Sequence, residues 1–144
     1  MDQATHDAIK AAALDYVDGW FEGDADRMRR ALSPELHKCS IIREPGSGKL
    51  TVGKRAPAES MVRWTREGVM KEANVPTEAH VLYVFRDIAI ARTVCPYFED
   101  LLHLANFGEY GWRIVHAIYQ VTDGELGPEL EEHMQFWTAE PKQC

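Results

Sequence analysis

The stretch from Thr93 to Gln120, TVCPYFEDLLHLANFGEYGWRIVHAIYQ, constrains the fold more than any other part of the chain. β-Branched and aromatic residues fill both of its halves with few breakers, which is the composition of strands. Gly108–Glu109–Tyr110–Gly111 divides the halves, and its glycines supply the backbone freedom of a tight reversal. Two long strands cannot stand alone in water, so another layer must cover one of their faces. The predicted fold class is therefore α+β. A curved antiparallel (mixed) β-sheet carries the helices of the N-terminal half on its concave face, with a pocket between the layers.

The helices are legible from periodicity. Ile9, Ala12, Ala13, Tyr16, Val17 and Trp20 recur at three- and four-residue steps, predicting a first helix over Asp2 to Glu22. Gly23 ends it, and Asp24 can cap a short second helix carrying Met28, Ala31 and Leu32, with Arg27, Arg29 and Arg30 facing water. Ala56 to Gly68 predicts a third helix, with Pro57 at its start and Met61, Val62, Trp64 and Thr65 apolar on one side. Between the second and third helices, Glu35 to Glu44 is ambiguous, with Leu36, Ile41 and Ile42 suiting a short irregular strand. Strands are predicted over Pro76 to Phe85 and Ile88 to Val94, joined by a turn at Arg86–Asp87. Pro96 cannot donate to a ladder and predicts a bulge or an edge position.

These elements place one domain over residues 1–122. Residues 123–144 form a C-terminal extension, read either as a loosely docked terminus or as a short helix over Pro128 to Trp137 that covers the pocket or meets a second subunit.

Charge and cysteine usage exclude several functions. The formal net charge is −7, whereas nucleic-acid binding needs a basic face that displaces counterions. No apolar run approaches the roughly 20 residues that span a bilayer, and the N-terminus lacks a basic leader with an apolar core. No nucleic-acid partner and no membrane are expected. Cys39, Cys95 and Cys144 form neither a disulfide framework nor a metal pattern, which predicts reduced thiols in a cytoplasmic protein. The six histidines lack metal-ligand spacing, and no phosphate loop, dinucleotide fingerprint or nucleophile elbow occurs. No cofactor and no metal are expected.

Three segments resemble the nuclear transport factor 2-like superfamily, and within it the lumazine-binding branch near the polyketide cyclase-like proteins. They are YVDGWFEGDADRMRRAL at Tyr16 to Leu32, FEDLLHL at Phe98 to Leu104, and WRIVHAIY at Trp112 to Tyr119. The similarity runs over roughly residues 8 to 121 by motif order and implies a cone-shaped scaffold. Such scaffolds carry isomerases, dehydratases, cyclases and plain binding modules, so the fold alone does not name a reaction. The chain departs from the branch at Ser33, where a His is usual, at Cys39, where a basic residue is common, and at Leu101, where a Tyr is expected. No flavin or lumazine is carried over from the family label. Similarity to ketosteroid isomerase implies that Tyr16 donates to a developing oxyanion. That enzyme's general base has no counterpart here, because the matching region is Cys39–Ser40.

The residues add their own candidates. Phe98, Asp100, Leu102 and Leu104 alternate onto one strand face, which sets a carboxylate among apolar side chains. Desolvation would raise its pKa and fit it as a neutral donor or a general base. With regular alternation, His116 falls inward with Trp112, Ile114 and Ile118, and His103 falls outward. Asp100, His116 and Tyr16 are thus the catalytic candidates, Asp100 orienting His116 as an acid–base pair. Trp20, Met61, Trp64, Phe98 and Trp112 are the ligand-binding candidates, an apolar lining suited to a small apolar or aromatic molecule. For Tyr16, Asp100 and His116 alike, a packing or structural role is the competing reading. Two functions stand open: a small-molecule pocket protein, enzymatic or not, whose chemistry as an enzyme is that of a lyase, isomerase or cyclase, and a non-catalytic interaction module. A homodimer through the outer sheet face is expected in either.

Overall fold

The computed structural model describes residues 2–44, 46–53 and 55–122. Three helices and six strands follow in the order α1 (Gln3–Glu22), α2 (Ala25–Ala31), β1 (Leu32–Arg43), β2 (Leu50–Val52), α3 (Ala58–Glu67), β3 (Glu78–Phe85), β4 (Ile88–Val94), β5 (Phe98–Asn106) and β6 (Trp112–Val121). The predicted C-terminal extension lies outside the described residues.

The strands form one open sheet in the order β2-β1-β6-β5-β4-β3. β3 to β6 make an antiparallel meander. β1 joins β6 in parallel, and this single parallel pair makes the sheet mixed. The β5–β6 reversal is a short 3-10 turn over Gly108–Tyr110, with Gly108 at φ 67° and Gly111 at φ 73°, backbone angles that favour glycine.

Helix α1 starts at Asp2, whose carboxylate accepts from the Thr5 N–H at 2.7 Å, and ends at Gly23 in the left-handed conformation. Its buried stripe is the one periodicity predicts, with Ile9, Ala13, Tyr16, Val17 and Trp20 against the sheet. The core continues through Met28, Met61, Leu102, Leu104 and Ile114, each at most 1% exposed. Full burial of an aliphatic side chain of this size contributes about 1.5–3 kcal/mol, so this layer holds the helices on the sheet. Arg27, expected to face water, instead bridges the helices, with its Nε 2.8 Å from Asp15 Oδ1.

Three sequence expectations change. The ambiguous Glu35–Glu44 region, all but Glu44, lies within the twelve-residue β1, the longest described strand. Its irregular look comes from Pro34 and from a register shift between Leu32 and His37 against β6. Pro96 sits in the link between β4 and β5, outside both ladders. In β3 alternation fails after Val81, where the pairing with β4 shifts, and Leu82, Tyr83 and Phe85 are exposed.

Candidate functional site

The inner face of the sheet carries a polar cluster under α1. Asp100, on β5, is fully buried among the apolar neighbours that alternation gives it. Tyr16, from the middle of the α1 stripe, donates its hydroxyl to Asp100 Oδ1 at 2.9 Å. Lys38, on β1, is 6% exposed, and its Nζ donates to the same Tyr16 oxygen. The chain of contacts therefore runs amine, phenol, carboxylate. Asp100 Oδ2 is buried and has no hydrogen-bond partner among the described residues.

Aromatic rings surround the amine. Lys38 Nζ lies 4.8 Å from the Tyr119 ring centre, 4.9 Å from that of Tyr16 and 6.0 Å from that of Trp20. Phe98 closes the side, its ring 5.9 Å from Tyr119 and 6.0 Å from Phe21. Tyr16, Val17, Trp20, Lys38, Phe98 and Tyr119 line a cavity of about 10 Å³, at the lower limit of room for one water molecule.

Burial governs the protonation of this cluster. Loss of water is the largest effect on Asp100 and raises its pKa, while the Lys38 charge and the Tyr16 hydrogen bond oppose it. Loss of water likewise lowers the pKa of Lys38 against the pull of Asp100. Both shifts favour the uncharged forms. The Tyr16 phenol is pushed well above its ordinary value by burial and then by the Asp100 charge, so it stays a proton donor.

His116 is not in this cluster. The pairing of β5 with β6 shifts between His103 and Leu104, whose partners are His116 and Ile114, so Val115 is an extra residue. A bulge of this kind reverses the faces of all residues beyond it. Ile114 is buried as expected, but Ala117 and Tyr119 then turn inward while His116 turns outward. There it stacks on His103 with ring centres 5.3 Å apart, and His37 is its register partner on β1. Its pKa is lowered, first by partial burial and then by those two imidazoles. The expected Asp100–His116 pair is therefore not made.

Of the ligand-binding candidates, Trp20 and Phe98 line the cavity. Met61 and Trp64 are buried on α3 and lie in the general core rather than on that lining. Trp112 begins β6, seven residues from Tyr119, about 23 Å along an extended strand. Sequence reasoning missed Lys38 and Tyr119. Lys38 was legible, since it shares alternation parity with Leu36 and Ser40, both buried. Tyr119 was hidden by the bulge. Among the described residues no cluster of three or more His, Cys, Asp or Glu could hold a metal ion.

Comparison with known proteins agrees with this architecture. A family profile described as "Putative lumazine-binding" matches residues 4–120. The chain belongs to this family. Solved structures place the family's fold here among the nuclear transport factor 2-like proteins. One such protein of unknown function, from Silicibacter pomeroyi, is 20% identical, with 84% of this chain and 99% of that one covered at a TM-score of 0.63. Another, from Methylobacillus flagellatus, is 18% identical over 85% and 96% of the two chains, with a TM-score of 0.67. A ketosteroid isomerase-like protein from Erwinia carotovora atroseptica is 12% identical over 85% and 99%, with a TM-score of 0.61. At these identities the likeness shows the fold alone. No curated protein matches the chain.

Proposed function

We propose that this lumazine-binding family member holds a small apolar or aromatic molecule between α1 and the sheet, with the molecule's polar end against Lys38, Tyr16 and Asp100. On that molecule it acts as a cofactor-independent lyase, isomerase or cyclase. The observation that carries this reading is the fully buried amine–phenol–carboxylate chain beside an aromatic-lined cavity, with one carboxylate oxygen unused. Burying ionisable groups is costly, and apolar residues of similar volume would pack there at less cost. Buried groups with shifted pKa values beside a cavity mark sites of chemistry. In this reading Asp100, uncharged at rest, takes the substrate proton on Oδ2 in its carboxylate form, its basicity raised by desolvation, and Tyr16 donates to the oxygen that gains charge. Trp20, Phe98 and Tyr119 supply apolar contact. His116 takes no part.

A second reading rests on the small volume of the same cavity: a non-catalytic dimeric module whose inner groups fill the core. Half-exposed Leu101 lies on the outer face with Arg92, His103 and His116, where we place the contact of a homodimer. Among the described residues no helix is long and apolar enough to cross a membrane. We assign a cytoplasmic setting on cysteine usage, three widely spaced cysteines with no disulfide-framework pattern.

Thermal unfolding with a panel of aromatic alcohols and ketones separates the two readings. A ligand at a hundred times its Kd adds about 2.7 kcal/mol to stability. The pocket reading expects at least one compound to raise Tm in the wild type and to lose that effect in Tyr16→Phe. A panel that leaves Tm unmoved, with a dimer seen by light scattering, establishes the module instead.

A further inference from the structure

We propose that Lys38 is a nucleophile that forms an imine with an aldehyde or ketone in the cavity, Tyr16 and Asp100 serving as its proton relay. This deepens the pocket reading by naming a carbonyl substrate, and it rests on that reading. The geometry carries it. Lys38 Nζ lines the cavity, so a molecule occupying that space meets the amine. The amine donates to the Tyr16 oxygen, and the Tyr16 hydroxyl donates to Asp100 Oδ1 at 2.9 Å. One proton can therefore pass from Nζ to Tyr16 while the phenol proton passes to Asp100, leaving a neutral amine and a neutral acid. Burial favours that same uncharged arrangement at both ends. A desolvated lysine in an apolar pocket is an activated nucleophile toward carbonyl carbon. The unused, fully buried Asp100 Oδ2 gives the cluster a further acceptor for a substrate hydroxyl or the departing water.

The step balances without a co-reactant. The Nζ lone pair bonds to the carbonyl carbon, and the C=O π pair moves to oxygen, which takes a proton through Tyr16 from Asp100. Nζ returns a proton along the same relay, giving a neutral carbinolamine. The C–O bond then breaks with its electron pair on oxygen, which takes a proton from Asp100 through Tyr16 and leaves as water, while the Nζ lone pair forms C=N. Loss of the last Nζ proton gives the imine. Before that loss, the iminium has the Asp100 carboxylate close by, and its electron demand acidifies the neighbouring C–H, the bond that an isomerase or lyase must break.

The test uses benzaldehyde with sodium cyanoborohydride at pH 7, read by intact mass and peptide mapping, with benzyl alcohol as a non-electrophilic mimic in thermal unfolding. An ordinary lysine is neutral in only about one molecule in 2,500 at this pH. Labelling of Lys38 is expected at least tenfold faster than at exposed Lys10 and Lys71. It should vanish in Lys38→Met and slow about tenfold in Tyr16→Phe, with both variants folded by circular dichroism. Adducts on Lys10 or Lys71 with Lys38 unmodified overturn the proposal. If benzyl alcohol still raises Tm in that case, the pocket reading stands and only the nucleophile is lost. If benzyl alcohol has no effect and Lys38 stays unlabelled, both fall. Labelling of Lys38 that is equally fast in Tyr16→Phe removes the relay and leaves the lysine an ordinary amine.

Discussion

The inner and outer faces of β1, β6 and β5 are built from alternate residues of the same three strands, yet their chemistry differs. Inside lie Lys38, Tyr119 and Asp100, all nearly or fully buried. Outside, one or three positions away along the same strands, lie His37, the stacked pair His116 and His103, and Leu101. Inside, the removal of water sets the protonation state and a lone oxygen is expensive. Outside, the side chains are more exposed, and partial burial and the neighbouring imidazoles lower the pKa of His116. The surroundings of each titratable residue here are set by the face it occupies.

The strongest way to break this contrast is to remove one member of the inner cluster. Asp100→Ala opens a void and removes the acceptor of the buried Tyr16 hydroxyl, which costs about 1–3 kcal/mol, read as a lower urea midpoint. Replacing both ends, Lys38→Met with Asp100→Leu, should recover most of that loss while abolishing ligand-induced stabilisation. If the double variant is as unstable as Asp100→Ala, the cluster is structural rather than retained for chemistry. The outer face should respond in association instead. Leu101→Asp is expected to weaken the proposed dimer at least tenfold, seen as a monomer mass in light scattering at micromolar concentration, with little change in urea midpoint. A monomeric wild type under those conditions removes the dimer.

How far these faces were legible in the sequence follows from the same strands. The layers, the helix stripe with Tyr16 and the inward set Phe98, Asp100, Leu102 and Leu104 followed from periods of 3.6 and 2. The family followed from short motifs in order along the chain. What failed was register. Val115 carries no breaker chemistry, so nothing in its side chain announces a bulge, and one extra residue was enough to exchange His116 for Ala117 and Tyr119. Lys38 was passed over for a different reason. A lysine in a strand is read as solvent-facing by habit, although the buried residues two positions to either side, Leu36 and Ser40, mark its face as the inner one.

A smaller effect sharpens the outer side of the comparison. The folded-state pKa of His116 lies below its unfolded value near 6.5, so the unfolded chain binds more protons as pH falls through that value. Stability from this group is therefore lost on acidification below about pH 6.5 and regained above it. The urea midpoint should fall between pH 7.5 and pH 5.5, and His116→Gln should flatten that part of the fall. A variant with the wild-type slope would assign the acid sensitivity elsewhere. The smallest effect is expected at Arg92 and Glu99, which pair on the outer face at 3.0 Å and are both well solvated. Arg92→Ala should leave the urea midpoint within experimental scatter, and a clear drop would mean that the pair is worth more than a solvated ion pair.

The parallel pairing of β1 with β6 has a consequence for biosynthesis. β6 is the last described strand yet lies inside the sheet, between β1 and β5. As the chain leaves the ribosome, α1, α2 and β1 emerge first, but β1 has no central neighbour until residues beyond Trp112 arrive. For most of translation the inward edge of β1 is open and the apolar stripe of α1 lacks the middle of its platform. Contacts this distant in sequence close slowly, and waiting edges attract other chains. The exposure of these edges is thus greatest just before β6 is made, and a ribosome stalled within β6 would release a chain with every described helix built but no strand to join β1 to β5.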